Sequence, residues 1–168
     1  IDMGGNFTLL DPGANPLPFY NGGTITMLDD VPDDSLTIDG HFQGSGDLNV
    51  DVDLSAEDAD RLYITGDIVE PTTHTINIVM VGKPDEADEF VPIVDVGGAS
   101  SDGDFVLGSI SGIPNDLFTT LDVGIVRQDG APDQFGLGIS ATGLTGKGIL
   151  AASIGPALQN AWHSITGT

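Results

Sequence analysis

Asp47-Leu48-Asn49-Val50-Asp51-Val52-Asp53-Leu54 alternates polar and apolar residues without a break. Successive side chains of an extended chain leave opposite faces, so Leu48, Val50, Val52 and Leu54 share one face and the four polar groups share the other. The pattern predicts a strand with one buried and one wet face. Further on, Thr75-Ile76-Asn77-Ile78-Val79-Met80-Val81 is apolar through most of its second half, which predicts a strand lying deeper or covered on both faces. Gly82, followed by Lys83 and Pro84, stops it.

Outward from these two runs, the apolar residues fall in short segments bounded by Gly, Pro, Asp and Asn. Strands are expected at Asn6 to Leu10, Thr24 to Leu28, Ser35 to Ile38, Arg61 to Thr65, Phe90 to Val96, Asp104 to Leu107, Thr119 to Val126 and Gln134 to Ile139. From Thr24 onward their starts are mostly about 11 to 16 residues apart. The connections are acidic: Asp29 to Asp34, Ala56 to Asp60, Asp85 to Glu89 and Ser100 to Asp104. Helical periodicity is nearly absent before residue 150. After Thr142 the composition turns to Gly, Ala, Ser, Leu and Ile. There Leu158, Ala161, Trp162 and Ile165 fall at helical spacing behind Pro156, which predicts a short helix with one apolar stripe that needs a surface to pack on.

With 168 residues, the chain has room for one domain with its own core. It starts at Ile1 with neither an initiator Met nor a signal-like segment, so it is expected to be a mature or excised fragment. Asp and Glu number 26 against 4 Lys and Arg, a formal charge of −22. Arg61, Lys83, Arg127 and Lys147 cannot assemble a basic patch, which excludes nucleic acid and disfavours anionic lipid surfaces. The acidity would serve calcium binding, a salty habitat or plain solubility, and solubility needs the fewest assumptions. The absence of cysteine excludes disulfides and thiolate metal sites. No apolar run approaches the roughly 20 residues of a spanning helix.

The search for chemistry is negative. Asp47, Asn49 and Asp51 match the opening of an EF-hand loop, but Val52 stands where Gly is needed and Asp58 where Glu is needed. Strand alternation explains that spacing without a metal. Gly44-Ser45-Gly46-Asp47-Leu48 is a single loose echo of a calcium β-roll repeat, which has to recur. His41, His74 and His163 lack helical metal-ligand spacing and are expected at surface or turn positions. Gly108-Ser109-Ile110-Ser111-Gly112 has the look of a turn, and no nucleophile stands beside a base. Among 26 carboxylates a glycosidase-like pair is expected by chance, and aromatic platforms for sugar are scarce, although Tyr63 could face solvent. Gly146-Lys147-Gly148 is not a phosphate loop. No catalytic residue, cofactor or metal is expected.

The run from Phe42 to Phe90 resembles the C-terminal part of the pertactin-like passenger region of bacterial autotransporters. Its bearers are Gly44-Ser45-Gly46-Asp47-Leu48-Asn49-Val50-Asp51-Val52, Ala59-Asp60-Arg61-Leu62-Tyr63-Ile64-Thr65-Gly66 and Thr75-Ile76-Asn77-Ile78. Val91-Pro92-Ile93-Val94-Asp95-Val96 and Gly103-Asp104-Phe105-Val106-Leu107 follow in the family's order. Phe118 to Arg127 and Phe135-Gly136-Leu137 match more loosely, lacking the usual tyrosines and Trp, and the likeness spans roughly Gly22 to Ile139.

The resemblance implies an all-β fold, a right-handed single-stranded parallel β-helix (β-solenoid) over residues 1–139 with a C-terminal cap. A short linker over 140–168 would lead toward a transmembrane barrel. It implies Gly46, Asp60 and Gly66 as structural turn residues. The implied function is the folding cap, or autochaperone, and membrane-proximal stalk of a passenger secreted by the type V route or displayed on the outer membrane. Its partner would be its own C-terminal barrel, with any host-surface or carbohydrate ligand bound through more N-terminal parts of the passenger. Strand spacing alone fits an antiparallel β-sandwich equally well. The alternative functions are a calcium-stabilised extracellular binding or adhesin module and a polysaccharide-active β-helix enzyme.

Overall fold

The computed structural model describes residues 5–8, 17–81, 89–112 and 119–144, and every regular element among them is a β-strand. Three sheets result. The first sets β1 (Gly5–Thr8), β4 (Ser35–Asp39), β8 (Arg61–Ile64) and β11 (Glu89–Val96) side by side in parallel. The second sets β3 (Thr24–Thr26), β6 (Asp47–Asp53), β10 (His74–Met80) and β12 (Phe105–Ser111) in parallel, with β7 (Asp58–Ala59) folded back on β6. The third is small: β2 (Phe19–Asn21), β5 (Phe42–Gly44) and β9 (Ile68–Val69). From β1 to β11 the strands visit the three sheets in rotation, and apart from β7 each pairs with strands of an earlier or later visit rather than with its sequence neighbour.

Alignment between circuits places like on like. Leu36, Leu62 and Val94 share one level of the first sheet, and Ile38, Ile64 and Val96 the next. In the second sheet Ile25, Leu48, Ile76 and Leu107 form one row. These β-branched and leucyl side chains point inward, and nearly all are buried in one continuous core. Each contributes about 2 kcal/mol through the apolar surface it removes from water. The parallel order ends at β14 (Asp133–Leu144), which lies antiparallel on β11, and at β13 (Thr119–Gln128), which forms an antiparallel hairpin with β14. Phe135, Leu137 and Ile139 of β14 close that end of the core.

Each strand expected from sequence overlaps an observed one, and mostly parallel pairing rules out the antiparallel sandwich. Four details differ. β10 alternates buried and half-buried residues and is covered on one face only, because Val79 points away from the core. Ser109 and Ser111 lie in β12 rather than in a turn, since they pair alongside β10. Asp51, expected on a wet face, is 1% exposed, because the 29–34 connection folds over it. β14 runs on to Leu144, past the boundary expected at Ile139, because Ser140 to Leu144 continue the ladder with β13. The predicted helix around Leu158 and Trp162 lies outside the described residues, as does most of the acidic stretch from Asp85 to Glu89.

Candidate functional site

Gly46, Asp60 and Gly66, the three expected turn residues, sit at corners where one circuit of the chain rests on another. A Cβ on Gly46 would collide with the carbonyl of Gly23 and approach Asn21 Oδ1 to 2.6 Å. On Gly66 it would come within 2.6 Å of the Gly40 carbonyl. Both glycines are therefore required by close backbone approach. Gly44, the last residue of β5, has φ +118° and adds a conformational need to the same corner.

Asp60 is wholly buried. Its Oδ1 accepts the Asp34 N–H at 3.0 Å and its Oδ2 accepts the Asp51 N–H at 2.7 Å, so one carboxylate ties two circuits together. Beside it, Asp51 Oδ2 accepts the N–H groups of Asp29 and Asp30, each at 2.8 Å. Asp51 Oδ1 is buried with no hydrogen-bond partner. Burial, chiefly, and then the neighbouring Asp51 and Asp34 charges push the Asp60 pKa up to about 6, against the lowering effect of its two N–H donors. The arrangement holds loops down; with both carboxylates shut away from solvent, it offers no surface at which a substrate could meet them.

Asn49, another of the EF-hand-like residues, is engaged structurally. Asn77 Nδ2 donates to Asn49 Oδ1 at 3.0 Å, and Asn77 Oδ1 accepts both the N–H and the hydroxyl of Ser109, so amides climb the outer face of the second sheet. Asp53 accepts the Ser55 hydroxyl and then the Ala56 and Ser55 N–H groups in a tight turn, the hydroxyl chiefly lowering its pKa. Among the described residues, no cluster of three or more His, Asp or Glu is arranged to hold a metal ion.

The histidines divide. His41 is half-buried beside Asp67, whose N–H donates to its Nδ1 at 2.9 Å. His74, expected at the surface or in a turn, is 1% exposed and takes its place in a column of rings through the core. Phe19 stacks on Phe42 at 5.9 Å, Phe42 meets His74 at 4.4 Å, His74 meets Phe105 at 5.5 Å, and Phe105 meets Phe135 at 4.8 Å. His74 Nδ1 lies 3.2 Å from the Gly46 carbonyl, which can only accept; Nδ1 therefore carries the proton and buried Nε2 is left bare. Burial lowers the pKa of His74, keeping it neutral. His163 lies outside the described residues.

Two of the chain's four cations are stationed where the antiparallel hairpin meets the parallel stack. Arg61 Nη2 pairs with Asp95 Oδ2, while Gln134 of β14 donates to Asp95 Oδ1 at 2.7 Å, joining β8, β11 and β14. Arg127 of β13 contacts Asp133 at 2.8 Å, Asp102 at 3.2 Å and the Ser100 hydroxyl at 3.1 Å. Asp133 also accepts the Gly130 N–H and the Ser100 hydroxyl, and these bonds, with Arg127, pull its pKa down to about 2. Sequence reasoning missed both clusters, since directly bonded partners lie up to 39 residues apart. Asp104 is buried, its pKa raised chiefly by burial and further by nearby Glu70. Its carboxylate accepts the Ser101 N–H at 2.6 Å and so braces its own turn. The hydroxyls of Ser100, Ser109 and Ser111 donate to Asp133, Asn77 and the Ile78 carbonyl, and each is thereby engaged away from histidine. Tyr63 is exposed, with the Arg61 guanidinium 5.5 Å from its ring centre.

No family model, curated protein or solved structure matches this chain.

Proposed function

We propose that this chain is the closing end of a right-handed parallel β-helix, acting as the folding cap and membrane-proximal stalk of an autotransporter passenger and carrying no catalysis of its own. The observation that carries the reading is the change of strand direction. A stack whose successive circuits pair in parallel and in register is ended by the antiparallel β13–β14 hairpin. In a solenoid each circuit contacts only its neighbours, so its end must be covered, and a stable end can template the circuits laid on it. The hairpin covers the core with Phe135, Leu137 and Ile139 and is bolted on by Arg61, Asp95, Gln134 and Arg127. The resemblance over the run from Phe42 to Phe90 supports the same reading.

The test joins the full chain to an outer-membrane barrel and follows arrival at the cell surface and resistance to added protease. Leu137 is buried between Val91 of β11 and Ile125 of β13, so Leu137→Asp should abolish the protease-resistant surface form. Equal surface yield and equal resistance for Leu137→Asp would overturn the proposal.

A further inference from the structure

We propose that the groove on the outer face of the β13–β14 hairpin is the seat of this chain's own C-terminal segment, with Trp162 as the side chain that fills it. The inference rests on the hairpin's surface and on the sequence that follows it, and stands apart from the secretion reading above.

The groove has a volume of about 400 Å³. Phe90, Gly138 and Gly124 lie in one row across β11, β14 and β13, so its floor is bare backbone. Its walls are apolar: Val126, 45% exposed, reaches over Gly138, and Phe90 lies over Gly136, where a Cβ would meet its ring at 2.7 Å. Further along the same sheet the outer row Thr37, Tyr63 and Asp95 is polar instead, and in the second sheet Asn49 and Asn77 pair in another polar row. An apolar recess of this kind calls for an apolar occupant.

The occupant must also tolerate a strongly acidic body. Residues 134–168 contain no Asp or Glu, and their sole formally charged side chain is Lys147. They begin on β14, which forms part of the groove, and β14 ends at Leu144, a few residues beyond Gly138. Residues 145–155 can span about 35 Å when extended, more than enough to bring the next residues back over the hairpin. Those residues carry the stripe of Leu158, Ala161, Trp162 and Ile165 behind Pro156. The helix predicted from their spacing would be marginal in water unless its stripe is covered. An indole buries the largest apolar surface of any side chain while needing one acceptor for its N–H, and Asp122 and Ser140 stand at the groove's rim. A second copy is the poorer occupant, since it brings its own charge of −22, whereas a tethered segment acts at an effective concentration of order millimolar.

Trp162 is the chain's only tryptophan, so intrinsic fluorescence of the full chain reports its surroundings directly. Native protein should show blue-shifted emission and acrylamide quenching several-fold slower than in urea, both independent of protein concentration. Gly124→Lys projects a charged side chain into the groove, and its Cβ meets nothing within 4 Å, so the strand accommodates it. The variant should lose most of the blue shift and quench several-fold faster, with its far-ultraviolet spectrum unchanged. The double variant Leu158→Ser, Ile165→Ser should do the same while leaving every described residue unchanged. Solvent-like emission in the native chain, or a blue shift unmoved by these variants, would overturn the proposal. A blue shift that develops only as concentration rises would overturn it too, seating a second copy there.

Discussion

Replacing Asp60 with Asn separates charge from shape at the best-buried carboxylate of the stack. In the folded chain Asp60 has a pKa of about 6 against 3.8 for a free carboxylate, so between those values the folded state holds more protons than the unfolded state. Stability from this group is fully present below about pH 3.8 and is lost as the pH rises through about 6. The shift is worth about 3 kcal/mol, and relaxation of the surroundings lowers the observable part toward about 2 kcal/mol. Other groups titrate against it. His74, neutral in the core, destabilises the fold as the pH drops below 6.5, and Asp133 loses its stabilising contribution as the pH falls from 3.8 toward about 2. The measurement is therefore a difference: urea midpoints of the parent and Asp60→Asn from about pH 4 to about pH 8. Asn turns an N–H toward one of the two donors, Asp34 or Asp51, so the variant carries a pH-independent loss of about 1–3 kcal/mol. On top of that offset the variant should gain on the parent by about 2–3 kcal/mol as the pH rises through about 6. Parallel curves for the two proteins would refute the account of Asp60 as a desolvated acid.

Phe42, which touches Phe19, His74 and Phe105, should cost about 3–5 kcal/mol when cut to Ala, read as a lowered urea midpoint. His74→Phe should be near neutral at pH 8, because Gly46 O still accepts the Thr75 N–H, and should flatten the loss of stability below pH 6.5; a variant with an unchanged acid limb would contradict a titrating core histidine. Arg127→Met should speed amide exchange in β13 and at the start of β14 while leaving β6 and β10 protected, and uniform acceleration throughout would mean that the hairpin and stack open as one unit.

What sequence made legible was whatever fits inside one strand. Period-two alternation marks β6 from Asp47 to Asp53 because seven residues display it, but β2, β5, β7 and β9 have only two or three residues each and show no period. The third sheet was invisible for that reason. His74 carried a usable signal, being in phase with Ile76, Ile78 and Met80 on the buried face of β10. Asp51 carried none: it stands in phase with the polar row of β6, and what buries it arrives from Asp29 and Asp30 a full circuit earlier. Asp60 and the two glycines could be named from the resemblance. Their partners could not, since Gly23, Gly40 and Asp34 become their neighbours only in the folded chain.

The placement of Arg61 and Arg127 divides the molecule's response to ionic strength. With 26 carboxylates against 4 cations, added electrolyte relaxes self-repulsion over the whole stack and should raise its unfolding midpoint. The outer partner of Arg127, Asp102, is 90% exposed, so that link is screened at the same time, whereas the sheltered Arg61–Asp95 pair holds. Electrolyte thus tightens the stack and loosens the outer corner of the hairpin, so that two parts of one molecule answer the same solvent change with opposite signs.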